Sequence, residues 1–94
     1  QSMTIRLWNR DLIISAAQAE RLTTWILDYL ASRKSGEESI SFLIGEIRCG
    51  TKMGFPTRLI DAETIFEALG FTLRREYKET RRGPHIVLRT YVTV

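Results

Sequence analysis

The chain has 94 residues, of which 44% are hydrophobic and 27% charged, a composition typical of one small globular domain (residues 1–94) rather than of a disordered tail. One cysteine, Cys49, and one histidine, His85, exclude a disulfide framework or a zinc site within one chain, and this cysteine usage favours a reducing, cytoplasmic compartment. The net charge of +3 is uneven, because residues 71–94 carry six basic and two acidic residues, whereas residues 1–70 carry eight basic and nine acidic ones.

The first residues predict a short strand or a tight hairpin. Two apolar stretches within residues 4–14 are separated by Asn9, Arg10 and Asp11, a cluster that favours a turn. Gln1 and Ser2 precede Met3 and are expected to be an expression remnant outside the fold. Apolar runs such as residues 12–14 fall far short of the roughly 20 residues that span a bilayer, so no membrane partner is expected.

Ser15 and Gln18 have the spacing of a capping box, which predicts a helix that begins at Ala16. Apolar residues then recur every three or four positions, at Ala19, Leu22, Ile26, Tyr29 and Leu30, and Trp25 widens this stripe. The helix is expected to end in Arg33 and Lys34, before Gly36, and Trp25 is expected in the core against Phe66 and Leu69.

Two further helices are predicted, separated by a loop. The second is capped by Ser39 or Ser41, buries Phe42, Leu43 and Ile47 and stops at Gly50, although a strand through Ile40, Phe42 and Ile44 fits the same residues. The loop "GTKMGFP" follows, and Pro56 ends whatever precedes it. Thr57 is expected to cap the third helix, residues 58–69, whose buried stripe is Leu59, Ala62, Ile65, Phe66 and Leu69.

Beyond Gly70 the hydrophobic period changes from 3.6 to 2, which predicts a two-stranded antiparallel ribbon. Phe71, Leu73 and Tyr77 share one face, which Arg75 interrupts, while Thr72, Arg74, Glu76 and Lys78 share the other. The segment "TRRGP" is expected to form the turn, and "HIVLRTYVTV" the return strand.

The order helix, helix, glycine-bearing loop, helix and basic hairpin resembles the winged helix-turn-helix superfamily over roughly residues 15–94, on the basis of element order and the hairpin after "FEALGF". The expected fold is therefore α+β, a small winged-helix-like domain of three helices followed by a basic β-hairpin. The resemblance implies that the third helix enters the major groove and that the hairpin, or wing, lies along a phosphate backbone or in the minor groove.

The wing supplies most of the candidate nucleic-acid contacts. Arg81 and Arg82 would lie at its tip, Arg74 and Lys78 on its outer face, and Arg89 on the return strand, where such cations neutralise phosphates without reading sequence. The alternative is a solvated hairpin whose charges protect an edge strand from aggregation.

The third helix and the loop before it are weaker candidates. The helix exposes Glu63, Thr64 and Glu67, so any groove contact is expected at its start, through Thr57, Arg58 and free backbone amides, and plain core packing is favoured instead. In the loop, Lys52 and Arg58 flank Met53 and Phe55. The two cations could hold phosphates while Phe55 stacks on a base. The favoured alternative is that Met53 and Phe55 pack under the loop and close the core.

No nucleophile and base can be paired, since Cys49 is expected to be a small buried residue and "GTKMG" lacks the P-loop spacing, so neither catalysis nor a cofactor or metal is expected.

Two functions remain. One is a small regulator or replication-associated factor that binds duplex DNA through the wing and the loop from Lys52 to Arg58. The other is a protein-interaction module that uses an apolar surface near Trp8 and Phe55, with the hairpin binding an acidic protein. A homodimer through the Trp25 face or the N-terminal strand is a further expectation.

Overall fold

The computed structural model describes residues 1–79, 83 and 85–94, and this part of the chain forms a small α+β domain with three helices and two antiparallel sheets. The elements in chain order are β1 (Ser2–Arg6), β2 (Asp11–Ser15), α1 (Ala16–Ala31), β3 (Glu37–Ser39), α2 (Ile40–Thr51), α3 (Leu59–Ala68), β4 (Thr72–Glu79) and β5 (Ile86–Thr93). The first sheet is the hairpin of β1 and β2, and the second has β5 between β3 and β4. None of these helices is long and apolar enough to cross a bilayer.

The N-terminal hairpin confirms the tight turn that the sequence predicts. Its strands pair from Ser2 with Ser15 to Arg6 with Asp11. The expectation that the first two residues lie outside the fold is wrong, because Ser2 belongs to β1 and the amide of Ala16 donates to the carbonyl of Gln1 at 2.9 Å. Since β2 runs directly into α1, this bond joins the sheet to the first turn of the helix.

The capping box at the start of α1 is confirmed. The Ser15 hydroxyl accepts from the amide of Gln18 at 3.1 Å, and the Gln18 side chain accepts from the amide of Ser15 at 2.9 Å. Leu22, Ile26 and Leu30 of this helix are buried in the core. The helix therefore begins where the sequence places it and turns its apolar stripe inward.

Trp25 lies at the edge of the core rather than inside it, which corrects the expected packing against Phe66 and Leu69. Its ring is half-buried and stacks on Tyr29, with ring centroids 5.5 Å apart and planes 12° apart. On its other side the ring lies against Gly50 of α2, where an added Cβ would be 2.6 Å from the Trp25 Cζ2. The glycine thus makes room for the indole over α2.

The sequence does not predict strand β3, which directly precedes the second helix. The chain pairs with β5 over Glu37–Ser39 and enters α2 at once, so the strand alternative for residues 40–44 is wrong. Ser39 occupies the N-cap position but its side chain makes no capping hydrogen bond. Phe42 is exposed, contrary to expectation, and α2 ends at Thr51 with Lys52 as a left-handed cap (φ 58°).

Helix α3 begins at Leu59, with Arg58 rather than Thr57 at its N-cap and no side-chain capping bond. Leu59 is exposed instead of buried, since the chain enters the helix at the surface. Phe55 is buried, its ring centroid 5.4 Å from that of Phe66, so the loop before α3 closes the core as favoured.

The C-terminal ribbon confirms the predicted antiparallel pairing, which runs from Thr72 with Thr93 to Glu79 with Ile86. Leu73 and Val92 form one pair at its base, and Val92 is fully buried in the core. We call the face of the ribbon that carries Leu73 and Val92 the inner face, and successive side chains along each strand alternate between it and the outer face. Further from the base the hairpin extends beyond the core.

Candidate interaction surface on the C-terminal hairpin

Arg74, on the outer face of β4, is held by two carboxylates. Its guanidinium donates to both oxygens of Glu37 at 2.6 and 3.0 Å and to Glu76 at 2.7 Å, and it lies 4.5 Å from the centre of the Tyr91 ring. These hydrogen bonds lower the pKa of Glu37 and of Glu76 and raise the pKa of Arg74. A bidentate pair of this kind occupies the donors that a phosphate would need.

Two more cations of the hairpin also have acidic partners. Arg75 pairs with Glu63 of α3, and the Lys78 ammonium lies 3.6 Å from a Glu76 oxygen. Glu63, like Glu37, lies outside the hairpin in the sequence. Much of the positive charge that the sequence concentrates in residues 71–94 is therefore offset by carboxylates that the fold brings to it.

The other candidate residues are dispersed. Lys52 and Arg58 lie at the two ends of the loop between α2 and α3, and Thr57 is exposed beside Arg58. Arg89 is exposed on the outer face of β5, opposite Glu76 in the register. Among the described residues, no carboxylate lies within ion-pair distance of these three cations. Arg81 and Arg82, expected at the wing tip, lie outside the described residues.

Large apolar side chains on the inner face of the hairpin remain exposed. Tyr77 and Leu88 are register partners and are 76% and 51% exposed, and Ile86, two residues from Leu88 on the same face, is 67% exposed. Leu59 and Ile60, at the start of α3, are 48% and 52% exposed. We call these five residues the apolar surface.

The ion pair between Arg75 and Glu63 shows which part of α3 lies beside the hairpin. Arg75 is on the inner face of β4, and Leu59 lies one helical turn before Glu63 in α3. Leu59 and Leu88 accordingly line the same groove. Beyond that point the helix no longer covers the sheet, so the inner face meets solvent.

The groove runs along one edge of β5 and has a volume of about 360 Å³. It is lined by Ser39, Ile40, Ser41, Leu59 and residues 87–90. In the described part of the chain, β3 pairs with residues 91–93 of β5, so residues 86–90 have a strand neighbour on the β4 side alone.

Comparisons of the chain with protein-family models, with curated proteins and with solved structures find no match.

The sequence does not predict the apolar surface, because the two-residue period assigns Tyr77 to the face of Phe71 and Leu73 but does not show what covers that face. The expectation that Trp8 and Phe55 form one apolar surface is wrong, because Trp8 is exposed but Phe55 is buried. Cys49, expected to be buried, is exposed. One signal is present in the sequence, namely the consecutive apolar residues Ile86, Val87 and Leu88 of β5, which place apolar side chains on both faces of the strand.

Proposed function

We propose that the chain is a non-enzymatic protein-interaction module with a winged-helix-like architecture, which binds its partner through the apolar surface. The observation that carries this proposal is the exposure of Tyr77, Leu88 and Ile86 on one strand face, with Leu59 of α3 lining the same groove as Leu88. Half-exposed side chains of this size each gain about 1 kcal/mol when a partner buries them. Apolar residues grouped in this way mark interaction sites more often than solvated surface.

The element order supports the winged-helix-like part of the proposal. Helix, strand, helix, helix and hairpin follow one another from α1 to β5, and the strand between the first two helices pairs with the hairpin. The N-terminal hairpin is an addition to that order. In winged-helix proteins the third helix and the wing face the ligand.

That same side of this protein is apolar and acidic. Helix α3 presents Leu59 and Ile60 at its start and the exposed carboxylate of Glu67 further along, while Glu63 is paired with Arg75. A carboxylate such as that of Glu67 repels a phosphate backbone, and apolar side chains gain nothing from it. A protein partner therefore suits this side better than a groove of DNA.

A site-specific photo-crosslinker tests the proposal. Benzoylphenylalanine at position 77 in the full chain, expressed in the cells from which the sequence derives, is expected to give a discrete protein adduct. Ile13 provides the matched control, because it is also an exposed strand residue but lies on β2. Equal adduct patterns at positions 77 and 13, or none at either, would contradict the proposal.

Duplex DNA binding is the second candidate, as expected of a regulator or replication-associated factor, and a specific observation favours it. Lys52, Arg58 and Arg89 are exposed without a carboxylate partner among the described residues, and Arg81 and Arg82 add two charges in sequence. Anisotropy titrations with unrelated duplexes are expected to show log-linear weakening with salt if these cations neutralise phosphates. Changing Arg81 and Arg82 together to alanine should then flatten the slope by roughly one to two units.

A further inference from the structure

We propose that the groove beside β5 receives an extended acidic segment of a partner protein, which adds to the sheet as a strand along residues 86–90. This inference rests on the proposed function and specifies the chemistry of the partner. The added strand would continue the line of β3, which already covers the neighbouring residues 91–93 of β5.

The exposed edge of β5 provides the backbone half of the interaction. Five residues of a strand span about 17 Å, and in the described part of the chain their outward N–H and C=O groups face no other strand. A long edge with apolar side chains is an aggregation hazard that proteins normally cover or charge. Here Ile86, Val87 and Leu88 follow one another along the edge and are all exposed. An added strand would pair these backbone groups, as in other complexes that form by strand addition.

The charges beside the groove select an acidic occupant. Arg89 is exposed on the outer face of β5, and no carboxylate of the described residues pairs with it. The strand that this protein itself places along the edge is already acidic, since Glu37 of β3 reaches across to Arg74.

The two faces of the sheet then define the pattern of the partner segment. Residues of an added strand that lie opposite Arg89 point to the outer face, where carboxylates are favoured. Residues opposite Leu88 point to the inner face, beside Leu59, where aliphatic side chains are favoured. The expected segment therefore alternates acidic and aliphatic residues.

A designed probe tests this inference on the purified full chain. The probe is an acetylated and amidated heptapeptide of alternating glutamate and valine, and its control has lysine in place of glutamate. In amide chemical-shift titrations at low salt, the acidic probe is expected to bind at least about fivefold more tightly than the lysine probe. The shifts are expected to concentrate in residues 86–90.

Two comparisons separate strand addition from simple charge attraction. R89E is expected to reverse the preference between the two probes, whereas R10E makes the same charge change on the exposed turn of the N-terminal hairpin and is expected to leave it unchanged. Two further probes carry N-methyl groups, one at its odd-numbered residues and the other at its even-numbered residues. Because alternate amides of an added strand face β5, one of these N-methyl series is expected to lose binding and the other to keep it.

Each contrary result overturns a defined part of the inference. Equal binding of both probes, or equal tolerance of both N-methyl series, would exclude an added acidic strand. Displacement of the probe by duplex DNA, with the same dependence on Arg89, would assign the groove to nucleic acid. Absence of probe binding with a persistent protein adduct at position 77 would overturn strand addition alone, and loss of the adduct as well would overturn the proposed function.

Discussion

Replacing Gly50 with alanine tests how α1 packs on α2. An alanine Cβ at this position would lie 2.6 Å from Cζ2 of Trp25, 3.0 Å from Cε2 and 3.1 Å from Nε1. Carbon atoms in ordinary contact are roughly 3.5–4.0 Å apart, so the indole must move by about 1 Å. Gly45, in the same helix, is the matched control, because a Cβ there would meet nothing within 4 Å.

The two substitutions are expected to change the free energy of unfolding in opposite directions. Each alanine gains about 0.5–1 kcal/mol of helix propensity over glycine. At Gly45 this gain stands alone. At Gly50 it is opposed by overpacking, which costs roughly 1–3 kcal/mol, and by partial loss of the stack between Trp25 and Tyr29, worth about 0.5–1.5 kcal/mol. The net expectation is a loss of about 1 kcal/mol for G50A, so the two variants should differ by about 2 kcal/mol.

Urea unfolding followed by far-UV circular dichroism measures this difference. The midpoints of G45A and G50A should be separated by roughly 1–2 M urea, given the slopes usual for small domains. In a W25L background the obstruction is removed, and G50A should then stabilise the protein as G45A does. If G50A stabilises the parent protein as much as G45A, the indole does not lie over α2 and the argument fails.

Three further substitutions probe the cap, the ion pair and the link between the N-terminal hairpin and α3. S15A is expected to lower the free energy of unfolding by about 1 kcal/mol, seen as a lower urea midpoint, because it removes the hydroxyl of the capping box. The pKa of Glu37 is lowered by its hydrogen bonds from Arg74, so its stabilising contribution is present above the unfolded value of 4.5 and is lost as the pH falls through the lower folded value. The urea midpoint of E37Q should therefore approach that of the parent as the pH falls below about 4.5, and a constant gap would contradict the assignment. D61A should cost about 1–3 kcal/mol and accelerate amide exchange at Trp8, whose N–H donates to the buried Asp61 carboxylate at 3.0 Å, whereas D61N, which keeps an acceptor, should cost less.

Elements with local signals could be predicted from the sequence. The capping box and apolar stripe place the start of α1 at Ala16, and the change of period after Gly70 predicts the ribbon of β4 and β5. Both signals involve residues a few positions apart, which interact wherever the rest of the chain lies. Strand β3 has three residues and no apolar alternation, and it forms because β5 offers it an edge. Such a strand depends on a partner about fifty residues away and leaves no local pattern.

The exposure of particular side chains could not be predicted for the same reason. Periodicity assigns Leu59 and Phe42 to apolar positions of helices, but it does not say where the rest of the core ends. Asp61 differs from its expectation in the opposite direction. A carboxylate in the first turn of a helix is expected to be solvated, yet Asp61 is buried and accepts from the amide of Trp8 in the turn of the N-terminal hairpin. In each case the deciding neighbour comes from a distant segment.

The charge of the hairpin shows how far a sequence count can mislead about a surface. A net +4 over residues 71–94 suggests a polyanionic partner, but Glu37 from β3 and Glu63 from α3 occupy Arg74 and Arg75. Charge that is paired within the fold has little remaining attraction for a ligand, and exposed pairs of this kind add little stability either. What distinguishes the described part of this hairpin is the combination of an open edge, an apolar inner face and an outward cation without an acidic partner, Arg89. This combination is the basis of the proposed preference for a strand with alternating acidic and aliphatic residues over a uniform phosphate backbone.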